Sequence, residues 1–345
     1  MNRPRALACL LIIVGSLVSS RPAPASAQEL RTADLGECPL ESGETLAPCT
    51  LGYRTLGSLN EARDNAILVP TWFTGTSEEA AGVAATYVDT TAFYVVAVDA
   101  LGNGVSTSPS NSPTQGRESF PRISIGDMVA SQYRLVTEEL GLDGLYAVTG
   151  ASMGGMQTFE WAVAHPEFVR KAVPLIGSPR LGPYDIALWE TQLRVLDLYE
   201  TCRCAEAAAT LAGLWILAGS SPADVDARID PAEVEASLET GARSTLERPD
   251  GWTHDTTSQL HAMIGHDISR HFGGDMSAAA DAIEAELLSV VVFTDHVVTP
   301  WESIEFVEMA GGESIVVDSP GGHGGLFAPD AGYEDRVRAF LARDH

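Results

Sequence analysis

Residues 150–154 read Gly-Ala-Ser-Met-Gly, a G-x-S-x-G pattern with the serine flanked by small residues. An apolar run, Leu145 to Thr149, precedes it, and a helical pattern, Met153 to His165, follows. In a strand-to-helix turn this tight, the serine hydroxyl is pushed into the open. The next backbone N–H, that of Met153, is then aimed at a carbonyl reacting with the serine. Ordinary glycine-rich turns can share the spacing, and it is the strand before and the helix after that favour a nucleophile at Ser152.

A serine alkoxide does not form unaided at neutral pH, so this chemistry needs a histidine base and a carboxylate to hold it. Of the eight histidines, His323 alone lies in a glycine-rich turn, Gly321-Gly322-His323-Gly324-Gly325, just past the last apolar strand. His296 adjoins the expected acid and His165 precedes a helix-ending proline, which makes both weaker candidates. Asp295 follows Val290-Val291-Val292-Phe293-Thr294 and is the expected acid. Asp318, five residues before His323, is the alternative, although that spacing suits a turn-forming aspartate. His261, His266 and His271 recur in steps of five, which does not align side chains on one helical face. They read as polar lid histidines, and neither metal nor cofactor is expected. An oxyanion needs a second donor from the loop after an early strand, here Pro70-Thr71-Trp72-Phe73-Thr74-Gly75. The backbone N–H of Phe73 is chosen to partner that of Met153, with Trp72 as the alternative.

These residues must be carried by strands, and short, almost wholly apolar runs supply them: Ala66 to Val69, Phe93 to Val98, Leu145 to Thr149, Ala172 to Ile176, Val290 to Phe293 and Ile315 to Val317. Such runs suit a mostly parallel sheet buried on both faces, alternating with helices such as Asp127 to Leu140. The fold class is therefore α/β. From about Pro179 to Ala280 the strand signal vanishes and an Ala/Glu/Asp-rich helical pattern takes over. The expected organisation is a signal peptide over 1–27, a core in two parts, 28–178 and 281–345, and a helical cap over 179–280 inserted above the strand ends.

Met-Asn-Arg-Pro-Arg, then an uncharged apolar run from Ala6 to Val18 and a close at Ala25-Ser26-Ala27, have the order of a secretory signal. Cleavage after Ala27 and export to the periplasm or medium are expected, and the apolar run is short for a membrane span. Losing Arg3, Arg5 and Arg21 takes the formal charge from −26 to −29, which disfavours nucleic acid and anionic membrane as partners. Four cysteines remain after cleavage: Cys38, Cys49, Cys202 and Cys204. An even count in an exported chain suggests disulfides, with three pairings possible. Cys38 with Cys49 is favoured as a staple of the new N-terminus. A bridge within Cys202-Arg203-Cys204 is harder to close.

Several motifs in order resemble the homoserine O-acetyltransferase group of α/β-hydrolase-fold proteins. They include Gly57-Ser58-Leu59-Asn60, Asp64 to Val69, Asp99 to Gly104, Phe120 to Val129 and Gly150 to Gln157. The resemblance implies an α/β-hydrolase fold, a mostly parallel sheet flanked by helices with an inserted helical cap. It puts the nucleophile on Ser152, the acid on Asp295 and the base on His323. The group's oxyanion loop, His-Ala-Leu-Thr-Gly, corresponds to Thr71 to Gly75, where the Thr-Gly is kept and the histidine lost. This departure implies a reshaped acyl pocket, partly filled by Trp72. Members that acetylate homoserine carry an aspartate after the histidine and an arginine in the cap. Here Gly324 and the uncharged Leu214-Trp215-Ile216-Leu217-Ala218 stand there.

The expected activity is hydrolysis of small or medium carboxylic esters by a serine nucleophile, with a small-molecule ester as the partner. The alternative is an O-acyltransferase fed by an acyl thioester, and a further one is a non-catalytic binding protein on the same scaffold. Monomer and homodimer both stay open.

Overall fold

The computed structural model describes residues 29–329 and 331–343, so the expected signal segment, 1–27, lies outside the described residues. The strands are β1 (Arg31–Asp34), β2 (Cys38–Pro39), β3 (Thr45–Leu46), β4 (Thr50–Leu56), β5 (Ala66–Pro70), β6 (Tyr94–Val98), β7 (Leu145–Ala151), β8 (Val169–Leu175), β9 (Glu286–Val292) and β10 (Glu313–Val317). The helices are α1 (Ser77–Ala84), α2 (Ile125–Arg134), α3 (Met153–Ala164), α4 (Pro183–Cys202), α5 (Ala205–Gly219), α6 (Pro222–Arg228), α7 (Val234–Leu246), α8 (Trp252–Ile264), α9 (Met276–Asp281), α10 (Trp301–Met309) and α11 (Glu334–Leu341).

Eight strands form one sheet in the order β1-β4-β6-β5-β7-β8-β9-β10, parallel from β6 through β10 and antiparallel where β1 and β4 join. Every residue of β5 and β7 is buried, as a strand covered on both faces requires. Their side chains alternate between two cores. Ala66 and Leu68 face the one that includes Met156, Phe159 and Trp161, while Ile67 and Val69 face the one containing Tyr87, Tyr333 and Phe340. β4 is the strand that apolar runs do not reveal, because Thr50-Leu51-Gly52-Tyr53-Arg54-Thr55-Leu56 mixes polar and apolar side chains at the antiparallel side.

Parallel order aligns the loops that follow the strands. The loop after β5 lies beside the turn after β7, because those strands pair directly, Ile67 with Ala147 and Leu68 with Val148. α3 starts immediately after Ser152 and is buried from Met153 to Val163. Phe159 meets Phe306 of α10 edge to face, with ring centroids 5.6 Å apart; truncating such a core ring typically costs about 3–5 kcal/mol. α2 starts with a reciprocal capping box, Ser124 with Asp127, and beyond Arg134 widens into a π-helical stretch over Leu135–Glu139.

Between β8 and β9 the chain runs through α4 to α9 without adding a strand to the sheet. Cys38 is bonded to Cys49, joining β2 to the segment before β4. Cys202 is bonded to Cys204 as well, contrary to the expected difficulty: Arg203 adopts a left-handed conformation, φ 47°, which folds the chain back with the two Cα atoms 5.1 Å apart. Among the described residues no helix is long and apolar enough to cross a membrane.

Candidate active site

Ser152 sits between β7 and α3 at φ 58°, ψ −120°, a conformation that a side chain adopts only when its surroundings enforce it. Its N–H donates to Leu175 O at 2.8 Å, and its carbonyl accepts from Met156 N at 3.0 Å, fixing the turn from both sides. The turn also lies hard against the end of β5. A Cβ added at Gly154 would stand 2.5 Å from Pro70 O, so only glycine allows this approach.

Ser152 Oγ lies 3.0 Å from His323 Nε2, and His323 Nδ1 lies 2.6 Å from Asp295 Oδ2. In the matching tautomer, Nδ1–H donates to the carboxylate and Nε2 accepts from the serine hydroxyl. Asp295 is buried, and its other oxygen accepts the N–H groups of Val297 at 2.8 Å and Val298 at 3.0 Å. One oxygen is thus held by backbone, and the other faces the imidazole. The histidine loop is pinned by Thr294, whose hydroxyl donates to Ser319 O at 2.6 Å and accepts Gly322 N–H at 3.2 Å. Gly322, at φ 59°, passes so close to the end of α5 that a Cβ would meet Ser220 Cα at 2.7 Å. Asp318, the alternative acid, is exposed.

The N–H groups of Phe73 and Met153 have no hydrogen-bond partner among the described residues. The loops that carry them are tied together by Gln157 of α3, which donates to Thr71 O at 3.0 Å and to Met153 O at 3.1 Å. Gln132 in turn donates to Gln157 Oε1 at 2.6 Å and accepts from Trp161 Nε1 at 2.8 Å. Sequence reasoning missed this chain of amides. The signal was there in Met153 and Gln157, one helical turn apart on α3.

Two expectations change. Trp72 does not stand in the acyl space: it is buried with Ile67 and Val69, its indole against Gly75 and 6.2 Å from Phe327. Its neighbour Phe73 turns to α4 and α5, stacked at 6.4 Å on Trp215 and edge-on at 5.8 Å to Trp189, since adjacent side chains in an open loop diverge. The uncharged stretch Leu214 to Ala218 therefore supplies an aromatic wall. His266 and His271, read as polar lid histidines, part company: His266 is buried, whereas His271 is exposed but packs on Glu160. His271 Nε2 lies 2.7 Å from Glu160 on α3, and Arg270 donates to both oxygens of that carboxylate, at 2.8 and 2.6 Å. Burial alone would raise Glu160, but hydrogen bonds from His271 and Arg270 outweigh it and bring the carboxyl down to about 2. His266 is fully enclosed, its Nε2 3.1 Å from Ser178 O, and burial lowers it to about 4.

The sequence profile described as alpha/beta hydrolase fold matches residues 66–195. Over 326 residues the chain is 31% identical to an ethyl acetate hydrolase of Pseudomonas veronii, covering 90% of this chain and 93% of that one. A homoserine O-acetyltransferase of Symbiobacterium thermophilum is 31% identical over 356 residues, covering 88% and 91%. Among solved structures, an acetylester hydrolase from Corynebacterium glutamicum superposes with a TM-score of 0.79 at 27% identity, covering 91% of this chain and 95% of that one. The chain therefore belongs to the alpha/beta hydrolase fold family, in the group whose members are named esterases and homoserine O-acyltransferases, and is an enzyme of that family.

Proposed function

We propose that the protein hydrolyses small carboxylic esters, with Ser152 as nucleophile, His323 as base and then acid, and Asp295 as the group that holds and charges the imidazole. The observation that carries this is the unbroken chain Ser152 Oγ, His323 Nε2, His323 Nδ1, Asp295 Oδ2, with spacings of 3.0 and 2.6 Å, beside two unengaged N–H groups. Ser152 Oγ attacks the ester carbonyl as His323 takes its proton. The carbonyl oxygen becomes an oxyanion facing the N–H groups of Phe73 and Met153, each such donor being worth about 10²–10³ in rate. Collapse expels the alkoxide, which His323 protonates. Water, deprotonated by the same histidine, then attacks the acyl-enzyme and releases the acid.

The acyl group we propose is short. The wall of Phe73, Trp189 and Trp215 begins at the oxyanion loop itself, and the names ethyl acetate hydrolase and acetylester hydrolase among the relatives make acetyl esters the first substrates to try. The second reading, transfer to an alcohol from an acyl thioester, draws support from the relatives named homoserine O-acetyltransferase. The site argues against it. Gly324 offers no carboxylate to an ammonium, and Arg194 is exposed. Arg228 approaches the histidine loop but is held by Asp224 at 2.7 Å and Ser220 at 2.9 Å, so its charge is already compensated.

Export after cleavage at Ala27 is part of the proposal, supported by the signal-like segment 1–27 and by the paired cysteines. The N-terminal sequence of the secreted protein checks it, with retention of residues 1–27 as the contrary result. For the chemistry, p-nitrophenyl acetate turnover and a serine-directed phosphonate are the tests. Wild type should turn over and take one label, and Ser152→Ala should lose both while keeping its fold. Labelling that survived on Ser152→Ala would place the nucleophile elsewhere.

A further inference from the structure

We infer that Gln259, on lid helix α8, is the positioning residue of the oxyanion loop, holding the Phe73 N–H in line with that of Met153. This deepens the reading above and rests on it.

The Phe73 N–H belongs to the peptide that joins it to Trp72, and the orientation of that peptide decides whether the hole exists. Its carbonyl, Trp72 O, accepts Gly75 N–H at 2.9 Å. In a trans peptide the N–H points away from the carbonyl, so this bond sends the Phe73 N–H to the opposite side. The following peptide must be fixed as well, or the pair could rotate together. Thr74 is held at φ 59°, outside the region a threonine prefers. Its N–H donates to Gln259 Oε1 at 2.8 Å, a bond that spans 185 residues of sequence. Gln259 is completely buried, and its Nε2 donates to Leu101 O at 3.2 Å in the loop after β6. Both ends of one amide are therefore used, one on each core loop.

Upstream, Thr71 N–H donates to Val98 O at 3.1 Å, and Thr71 O accepts from Gln157 at 3.0 Å. The Trp72–Phe73 peptide is thus bracketed, by the sheet and α3 before it and by Gln259 behind it. One turn earlier on α8, Asp255 accepts Ser110 N–H at 2.8 Å and Ser110 Oγ–H at 2.6 Å. The same helical face is anchored twice, so Gln259 reaches Thr74 from a rigid support. With the acceptor gone, the Thr74 N–H loses its protein partner, and the loop can relieve its left-handed turn by rotating. The Phe73 N–H would swing with it.

The test uses the full-length exported enzyme and the variants Gln259→Met and Gln259→Glu, with active sites counted by end-point phosphonate titration so that misfolded protein does not enter kcat. The probes are p-nitrophenyl acetate and an aryl trifluoromethyl ketone. Ser152 Oγ adds to the ketone carbon, its proton passes to His323, and the resulting oxyanion occupies the hole. Gln259→Met should lower kcat about 10- to 100-fold, with KM changed less than about twofold. Its ketone Ki should rise by the same factor as kcat falls, and inhibition by acetate, which forms no tetrahedral oxyanion, should stay put. Gln259→Glu supplies a pH readout. Only its protonated carboxyl reproduces both the acceptor and the donor, so the ratio of its kcat to wild type should climb as pH falls from about 8 to about 6. Wild-type kcat in Gln259→Met, a fall in kcat without a matching rise in ketone Ki, or a flat Gln259→Glu ratio would overturn the assignment while leaving the esterase reading intact. A wild type that neither turns over esters nor takes phosphonate would remove both.

Discussion

Asp185 and Thr299 are joined twice, the buried carboxylate of Asp185 accepting both the backbone N–H and the hydroxyl of Thr299 at 2.9 Å. Asp185 stands in the first turn of α4, where it also accepts Gly182 N–H at 3.1 Å. Thr299 lies four residues after Asp295 in the loop between β9 and α10. Burial pushes the Asp185 carboxyl up, and its hydrogen bonds from Thr299 and Gly182 pull it back. α4 thus fastens the loop of the proposed acid, as α8 fastens the proposed oxyanion loop.

Removing that fastener should cost both stability and rate. Asp185→Ala leaves three partly buried donors without their acceptor, each costing up to about 1–3 kcal/mol. A lowered Tm and a kcat reduced about tenfold are expected, the latter corresponding to roughly 1.4 kcal/mol of barrier. Asp185→Asn keeps an acceptor for the Thr299 N–H and should lose less of each. Thermal melts and p-nitrophenyl acetate kinetics decide it, and an alanine variant with unchanged kcat would detach α4 from the site.

Asp295→Asn should lower kcat by about 10³–10⁴, since an amide can hold the imidazole in the wrong tautomer and lends it no charge. Asp318→Asn, at an exposed position, should stay within about twofold of wild type. The two single variants, assayed side by side, decide between the candidate acids. If Asp318→Asn were the crippled one, the Asp295 role would be withdrawn.

His266 gives stability a pH dependence of predictable sign. Burial lowers its folded pKa to about 4, so below the unfolded value near 6.5 the unfolded chain takes up a proton that the folded chain refuses. The stability associated with neutral His266 is therefore complete above about 6.5 and drains away as pH falls toward about 4, by roughly 3 kcal/mol in all. Glu160, Arg270 and Asp267 surround it electrostatically. Glu160 adds a further loss at lower pH, as its carboxylate protonates between the ordinary 4.5 and its depressed value of about 2. His266→Gln can keep a donor for Ser178 O without titrating. Its urea-unfolding free energy should be flatter than wild type between about pH 6.5 and 4, and parallel curves would show that His266 is not the source.

Ser152, Asp295 and His323 could be picked out because each follows an apolar strand, and a parallel sheet brings the ends of such strands together whatever lies between them. What the sequence hid were contacts with no local pattern. Gln259 reaches Thr74 across 185 residues, and nothing around Gln259 distinguishes it from any other polar residue on a helix. Glu160 carries no local mark of Arg270 and His271, which reach it from more than a hundred residues away. Trp72 and Phe73 are adjacent and chemically alike, and only the path of the loop decides which one enters the core. β4 was concealed by its mixed side chains, although Tyr53 and Leu56 pair with Val98 and Val95 in regular register.

The acceptor is where the two readings of the reaction separate. An amino-acid alcohol such as homoserine brings an ammonium and a carboxylate into the site, and each that is buried there must find an opposite charge or pay its desolvation. After His323 the chain offers Gly324, which has no side chain. On α5, Trp215 stacks on Phe73, and on α6 the guanidinium of Arg228 is occupied by Asp224 and Ser220. An unpaired buried charge costs about 3–5 kcal/mol, which corresponds to roughly 10²–10⁴ in rate. Water carries no such penalty and is present at far higher concentration. Incubated with acetyl-coenzyme A and homoserine, the enzyme should therefore yield acetate, or nothing, under conditions where it turns over p-nitrophenyl acetate. A neutral alcohol of similar length should capture more of the acetyl group from p-nitrophenyl acetate than homoserine does, because it leaves no charge unpaired. Quantifying O-acetylhomoserine against acetate by mass spectrometry checks the first expectation, and predominant O-acetylhomoserine would turn the assignment from hydrolase to acyltransferase.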